Sequence, residues 1–222
     1  MAEKILNMDF SQRIVIDTLT SEHWFIKPND PLRRIRLEYN PHKQADVTSI
    51  VEYPSGSHFT AHQHPGGEEI FVLDGVFQDE HGSYPSGSYL RNPIGSAHTP
   101  YSNDGCKILV KLGRFHQDDT KQIAVQTKKK EWRPGLMPGL SVMSLHEYQN
   151  EHTALVKWKP NTKFNLHQHW GGEEIFVLDG VFYDEHGTYS QGTWIRSPHL
   201  AQHQPYTKEE GAIIFVKTGH LF

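Results

Sequence analysis

The sequence predicts an all-β protein built as two tandem β-barrels. Three observations carry that reading: an internal repeat one domain long, short β-branched and aromatic runs separated by turn residues, and no long amphipathic helix. Residues 62–87 align with residues 167–192 at a constant offset of 105, and 21 of the 26 positions are identical. Both copies read HQH-x-GGEEIFVLDGVF-x-DEHG. Similarity continues through 89–93 against 194–198 and 108–111 against 214–217, with one extra residue in the second copy between Tyr206 and Gly211, as a surface turn allows. Upstream the match is weak, although Trp24 and Trp132 are candidates for equivalence. A period this long is a duplicated domain and not a solenoid.

The elements follow from local patterning. Residues 47–53, 70–73, 88–91 and 107–112 read as strands. Asp79-Glu80-His81-Gly82 and Asp184-Glu185-His186-Gly187 read as tight hairpin turns. The polar stretch after His116 has little apolar periodicity apart from Ile123-Ala124-Val125, which places the boundary near residue 120 and the two barrels at 1–120 and 121–222. Pro134-Gly135 and Pro138-Gly139 mark turns at the start of the second copy. Many short strands with such turns fit an antiparallel sandwich or barrel.

Composition excludes several classes. The chain has 222 residues, enough for two cores, and 36% of them are hydrophobic. No apolar run approaches the roughly 18 to 20 residues that span a bilayer. The opening Met1-Ala2-Glu3-Lys4-Ile5-Leu6-Asn7 lacks the apolar centre of a signal peptide, so the expected location is the cytoplasm and no membrane partner is expected. A net charge of −4 and a single three-residue basic run, Lys128-Lys129-Lys130, argue against direct nucleic-acid binding. Cys106 is the only cysteine, which excludes an internal disulfide and an all-cysteine zinc site. It aligns with Ala212 and reads as a small buried residue, redox sensing by this thiol being the lesser alternative.

Histidine stands out, with 16 residues. On a strand, residues two apart face the same way, so His62 and His64 converge while Gln63 points away. Pro65-Gly66-Gly67 turns the chain and returns Glu68 to the same point, and His98, after the Pro93-Ile94-Gly95 turn, offers a third imidazole. His167, His169, Glu173 and His203 repeat the set at identical separations. An isolated HxH is more often a solvated strand face, but four donors at fixed spacing, twice, point to metal ligands. Imidazole with carboxylate suits Mn, Fe, Co, Ni or Zn. His81 and His186 read as exposed turn residues, and His23, His42, His58, His116, His146, His152, His199 and His220, which have no counterpart in the other copy, as surface histidines.

These motifs resemble a known family. Gly56-x5-His62-x-His64-x3-Glu68-x6-Gly75 and Gly87-x5-Pro93-x-Gly95-x2-His98 are similar to the two motifs of the cupins, whose ligands map onto His62, His64, Glu68 and His98. In the second copy Asn161 and Leu200 replace motif glycines in turns, while the donors all match. The HQH-x-GGEE-IFVLDG wording, the DEHG hairpin and the Trp-x-Pro-Gly segment at Trp132 resemble, in both halves, the cupin domain of ChrR-like anti-sigma factors. The resemblance implies two jelly-roll barrels and two divalent transition-metal ions per chain, zinc first, with Fe, Mn or Ni as alternatives. Those relatives grip sigma factors through a His-x3-Cys-x2-Cys zinc domain that this sequence lacks, so sigma-factor binding is not expected.

Three functions are open to such a chain: a sensor that binds a small molecule or oxidant, a non-haem dioxygenase acting on a small dicarbonyl or phenolic substrate, and a structural role in which metals staple the fold. In the dioxygenase reading Glu68 or Glu173 is displaced to act as a base. A homodimer is compatible with each. Among wall residues, the matched Arg91 and Arg196 read as outward-facing partners of carboxylates, with anion binding the lesser alternative. Tyr89 and Trp194 occupy matching places. Phe59 and Phe164 read as core or pocket wall, and Trp170, in place of Pro65, as a residue beside the second site.

Overall fold

A computed structural model of the chain describes residues 5–20, 24–26, 30–42 and 46–221. Met1 to Lys4 and His23, which figure in the sequence reading, lie outside the described residues. Among the described residues the regular structure is strand, apart from one 3-10 turn at Thr127–Lys129. The chain forms two compact units: Met1–Met8 with Glu22–Lys130, and Asp9–Ser21 with Glu131–Phe222.

In the first unit the antiparallel sheet runs Ile123–Gln126, Ser88–Asn92, Glu68–Asp79, Cys106–Leu112, Val47–Tyr53, Arg33–Tyr39, Phe25–Ile26. In the second it runs Ile14–Asp17, Thr193–Ser197, Glu173–Asp184, Ala212–Thr218, Glu151–Trp158, Leu140–Tyr148, Arg133–Pro134. The two orders correspond position by position, with one exchange. Ile14–Asp17 forms the edge of the second unit's sheet, and Ile123–Gln126 forms that edge in the first. Each copy therefore contributes its opening strand to the other unit.

Alternation sorts the side chains. Leu32, Val51, Ile70, Val72, Phe77, Leu90, Ile108 and Val110 form the first core, and Leu140, Trp158, Ile175, Val177, Phe182, Ile195 and Ile214 the second. The shared Asp-Gly pair has a steric cause: Gly75 and Gly180 have φ of 68° and 72°, and a Cβ on either would collide with the carbonyl oxygen of Gly105 or Gly211. Both lie beside a bulge, between Lys107 and Ile108 in the first sheet and between Val177 and Asp179 in the second.

Strand register also equates residues that sequence matching leaves unaligned. Val51 lies opposite Arg34, and Val156, which is 105 residues later, lies opposite Val142, so Arg34 and Val142 are equivalent. On the next pairing Phe25 lies opposite Arg34 and Arg133 opposite Val142, which makes Trp24 and Trp132 equivalent, as expected.

Candidate metal centres

The eight expected residues gather into two sites, one in each unit. His62–Gln63 pairs with Ala97–His98, bringing His62 directly opposite His98, and His167–Gln168 pairs with Gln202–His203, bringing His167 opposite His203. The HxH spacing then puts His64 and His169 on the same face. One ring nitrogen from each of His62, His64 and His98 lies within 4.8 Å of the others, and the same holds for His167, His169 and His203. Each glutamate begins its long strand against this cluster. Glu68 Oε2 is 3.4 Å from His64 Nε2 and 3.6 Å from His98 Nε2, while Glu173 is 3.3 Å from His169 Nε2 and 3.4 Å from His203 Nε2.

The outer ring nitrogens determine what the inner ones offer. His62 Nδ1 donates to the Thr60 carbonyl at 3.0 Å, and His167 Nδ1 to that of Asn165 at 2.9 Å, which leaves Nε2 as a bare lone pair facing inward. In the second site the three Nε2 atoms crowd to 3.0 and 3.1 Å, with His167 in the middle. In the first, His64 Nε2 is buried and makes no hydrogen bond among the described residues. Converging acceptors beside a buried carboxylate repel one another unless a cation lies among them. This donor set therefore fits a divalent transition metal, and it contains no soft sulfur donor.

Burial and the neighbouring carboxylates split the titration of these groups. Burial, reinforced by His98 and His62, lowers the pKa of His64 to about 4, so its lone pair is free at neutral pH. Burial also lowers His167 and raises Glu68. Burial alone would lower His98, but the Asp79 and Glu68 carboxylates outweigh it, and the net shift is upward. His203 behaves likewise, with Asp184 and Glu173 outweighing burial.

Asp79 and Asp184 are the functional residues that the sequence reading missed. Each caps its DEHG turn through Oδ1, accepting from the amides of His81 and Gly82 or of His186 and Gly187. The other oxygen faces the third histidine: Asp79 Oδ2 is 3.4 Å from His98 Nδ1, and Asp184 Oδ2 is 3.8 Å from His203 Nδ1. At those distances the contact is electrostatic, and it turns the imidazole so that Nε2 points at the site. The identity of DEHG in both copies was the available signal; a turn assignment accounted for its Gly and concealed its Asp.

Of the other residues singled out, some sit as expected and some elsewhere. His146 is buried and the side chain of His220 is 4% exposed, its Nε2 3.1 Å from Glu174, because both belong to the internal polar layer of the second unit. His42, His58, His81, His116, His152, His186 and His199 are exposed. Arg91 and Arg196 do not face outward: both are buried, Arg91 paired with Asp119 at 2.6 Å over the Phe115 ring and Arg196 donating to the Asp9 carbonyl over Phe10. Tyr89 and Trp194 donate to Glu69 and Glu174 in the same layers. Trp170 is 60% exposed and packs on His199, outside the second donor set's cavity. Phe59 and Phe164 do line the cavities. Cys106 is buried, and burial pushes its thiol up to about 11.

Each donor set opens on a cavity. The first, of about 570 Å³, has Leu32, Arg34, Tyr53, Phe59, Ile108 and Val110 in its walls. The second, of about 190 Å³, is lined by residues such as Leu136, Val142, Trp158, Phe164 and Ile214.

The sequence profile of the ChrR cupin-like domain matches the chain twice, over residues 11–116 and 120–222. No curated protein sequence matches it. Among solved structures it is similar to a candidate dioxygenase of Nostoc punctiforme, at TM-score 0.76 and 18% identity over 94% of this chain and 82% of that one. It is also similar to the bacterial pirin YhhW of Escherichia coli in complex with nickel(II), at TM-score 0.66 and 13% identity over 95% of this chain and 100% of that one. A third similar structure is a salicylate 1,2-dioxygenase of Pseudaminobacter salicylatoxidans, at TM-score 0.60 and 10% identity over 84% of this chain and 76% of that one. At such identities the likeness establishes the fold: two jelly-roll barrels in tandem. Among the described residues no helix is long and apolar enough to cross a membrane.

Proposed function

We propose a function from the premise that this chain belongs to the ChrR cupin-like domain family: each barrel holds one divalent transition-metal ion, and the first presents its ion to a small molecule. The ligands are His62, His64, Glu68 and His98 in one barrel and His167, His169, Glu173 and His203 in the other. The observation that carries the reading is the convergence of three imidazole nitrogens within 4.8 Å of one another beside a buried glutamate, twice. When bound, such an ion would supply Lewis acidity to an oxygen donor on the ligand. The chain's own residues do the rest. Thr60 and Asn165 hold the tautomers of His62 and His167 through their carbonyls. Asn92 donates to Glu68 Oε2 at 3.0 Å and fixes the carboxylate. Leu32, Val51, Phe59, Ile108 and Val110 give the first cavity an apolar side on which a ligand can pack. In this reading the protein senses or sequesters a small molecule or oxidant, with zinc the first expectation for the metal.

A second reading, a non-haem dioxygenase acting on a dicarbonyl or phenolic compound, is favoured by the size of the cavity over the first donor set, which lies in the range of small-molecule sites. Elemental analysis of the purified chain tests the first claim: about two transition-metal ions per chain are expected, and none retained after metal loading would overturn it. Oxygen uptake by the Fe(II)-loaded protein with dicarbonyl and phenolic compounds separates the two readings, since turnover that disappears in His98→Ala establishes the enzyme.

A further inference from the structure

The two barrels provide an internal control on what the fold needs. Arg34 and Val142 are equivalent positions on equivalent strands, each lining the cavity over its donor set. Val142 shows that an apolar side chain completes this wall, so the barrel does not require arginine here. Yet Arg34 carries a permanent charge into a wall of Leu32, Val51, Phe59, Ile108 and Val110, with 18% of its side chain exposed. Its partners are few: Nη2 to Asp30 Oδ2 at 2.8 Å and Nη1 to the Leu32 carbonyl at 3.2 Å. A guanidinium has five N–H donors, so three are unspent on the described residues.

A second polar group accompanies it. The Tyr53 ring is held edge-on between Phe59 and Phe77, and its hydroxyl makes no hydrogen bond among the described residues. Tyr53, Arg34 and the donors His62, His64 and Glu68 all line the same cavity. The equivalent of Tyr53 in the second barrel, 105 residues on, is Trp158, which has no hydroxyl.

We propose that the first barrel is a receptor for a small organic carboxylate with an apolar body, its carboxylate bound by Arg34 and Tyr53 and its body packed on the apolar wall, and that the second barrel takes no such ligand. This rests on the first barrel's reading as a metal-dependent small-molecule site. Asp30 positions the guanidinium from one edge, and a ligand carboxylate takes the free edge, with Tyr53 donating to it. In the second barrel Val142 brings no charge, Trp158 offers only a single neutral indole N–H, and the cavity, near 190 Å³, is below the range of typical ligand pockets.

Calorimetric titration of the metal-loaded full chain with benzoate and isovalerate, each beside its neutral amide, tests this. One carboxylate per chain is expected, with the amides weaker by about 10-fold or more. Arg34→Met should weaken carboxylate binding by about 10- to 100-fold, the worth of a charge-assisted hydrogen-bonded contact, while Arg34→Lys recovers part of it. Tyr53→Phe gives a smaller loss. Two carboxylates per chain, amides that bind equally well, no binding by either acid, or an Arg34→Met chain that melts lower and binds unchanged would each overturn the proposal; the last would make Arg34 a staple for the segment around Asp30. Metal content measured on the same samples reports separately on the underlying reading. Metal retained with no carboxylate bound removes this proposal alone. Metal absent removes the reading beneath it, and titration of that metal-free chain then decides whether Arg34 binds carboxylates by itself.

Discussion

In the first barrel three imidazoles open onto about 570 Å³ with a cation and a phenol in the wall, whereas in the second the same three imidazoles face about 190 Å³ walled by Val142 and Trp158. The support behind the histidines differs as well. Asp184 is shared between His203, 3.8 Å away, and Arg13, 2.8 Å away, and although burial opposes ionisation, these contacts with Tyr189 hold its pKa well below the usual carboxylate range. Asp79 meets His98 at 3.4 Å and pairs with no lysine or arginine among the described residues. Duplication has thus kept the donor chemistry while the walls and outer supports diverged. The wall divergence falls on Arg33–Tyr39 against Leu140–Tyr148, which carry Arg34 and Val142, and on Val47–Tyr53 against Glu151–Trp158, which end in Tyr53 and Trp158.

If the barrels are chemically parallel but functionally distinct, their donor sets should fail independently. Metal content should drop from about two ions per chain to about one in either His98→Ala or His203→Ala, and mass spectrometry of the native protein reads this directly. Loss of both ions from one substitution would break the comparison. Chelation should lower the melting temperature in two resolvable steps, since a ligand present at 100 times its Kd stabilises the folded state by about 2.7 kcal/mol. A single step would mean that the sites empty together. The supporting carboxylates sharpen the contrast: Asp79→Asn should weaken metal binding in the first barrel by about 10- to 100-fold, as removal of such a partner typically does. Asp184→Asn should cost less, because Arg13 already claims much of that charge, and competitive titration against a chromogenic chelator measures both. Equal losses would show that Arg13 is irrelevant to His203.

The turns give a smaller effect. Gly95 has φ 81° and its equivalent Leu200 has φ 59°, so the second barrel forces a side chain into the left-handed region. Leu200→Gly should relieve roughly 1 kcal/mol of that strain, offset in part by glycine's greater unfolded-state freedom, and a thermal melt should move upward slightly. The smallest change concerns Cys106. With its thiol pKa pushed up to about 11, it is protonated at pH 8, and alkylation should be slow until the pH rises toward that value or the first barrel unfolds. Fast alkylation at pH 8 would make the thiol a reactive group after all.

The convergence of the histidines and glutamates was legible because HxH on a strand and a glutamate after a tight turn come together locally, while His98 and His203 are brought in by pairing opposite His62 and His167. The sequence carried the barrels because the duplication advertised itself over residues 62–87 and 167–192. Wall chemistry was hidden, since Arg34 and Val142 can be equated only through the register of their pairing with Val51 and Val156. Burial of His146, His220, Arg91 and Arg196 was hidden too, because polar residues in an internal layer follow the same alternation as surface ones. The partners of Ile14–Asp17 and Ile123–Gln126 depend on contacts remote in sequence, which local patterning does not encode.

That exchange of opening strands binds the two copies' fates together. During synthesis Ile14–Asp17 leaves the ribosome long before Thr193–Ser197 exists, so its backbone must stay unpaired until nearly the whole chain has been made. Separating the two copies near residue 120 would strip each sheet of its edge strand and expose Ser88–Asn92 and Thr193–Ser197 as new edges. Deleting either copy is therefore not a neutral event for the other. The second copy, whatever its own small cavity does, is kept in the chain by the edge strand it supplies to the first unit's sheet.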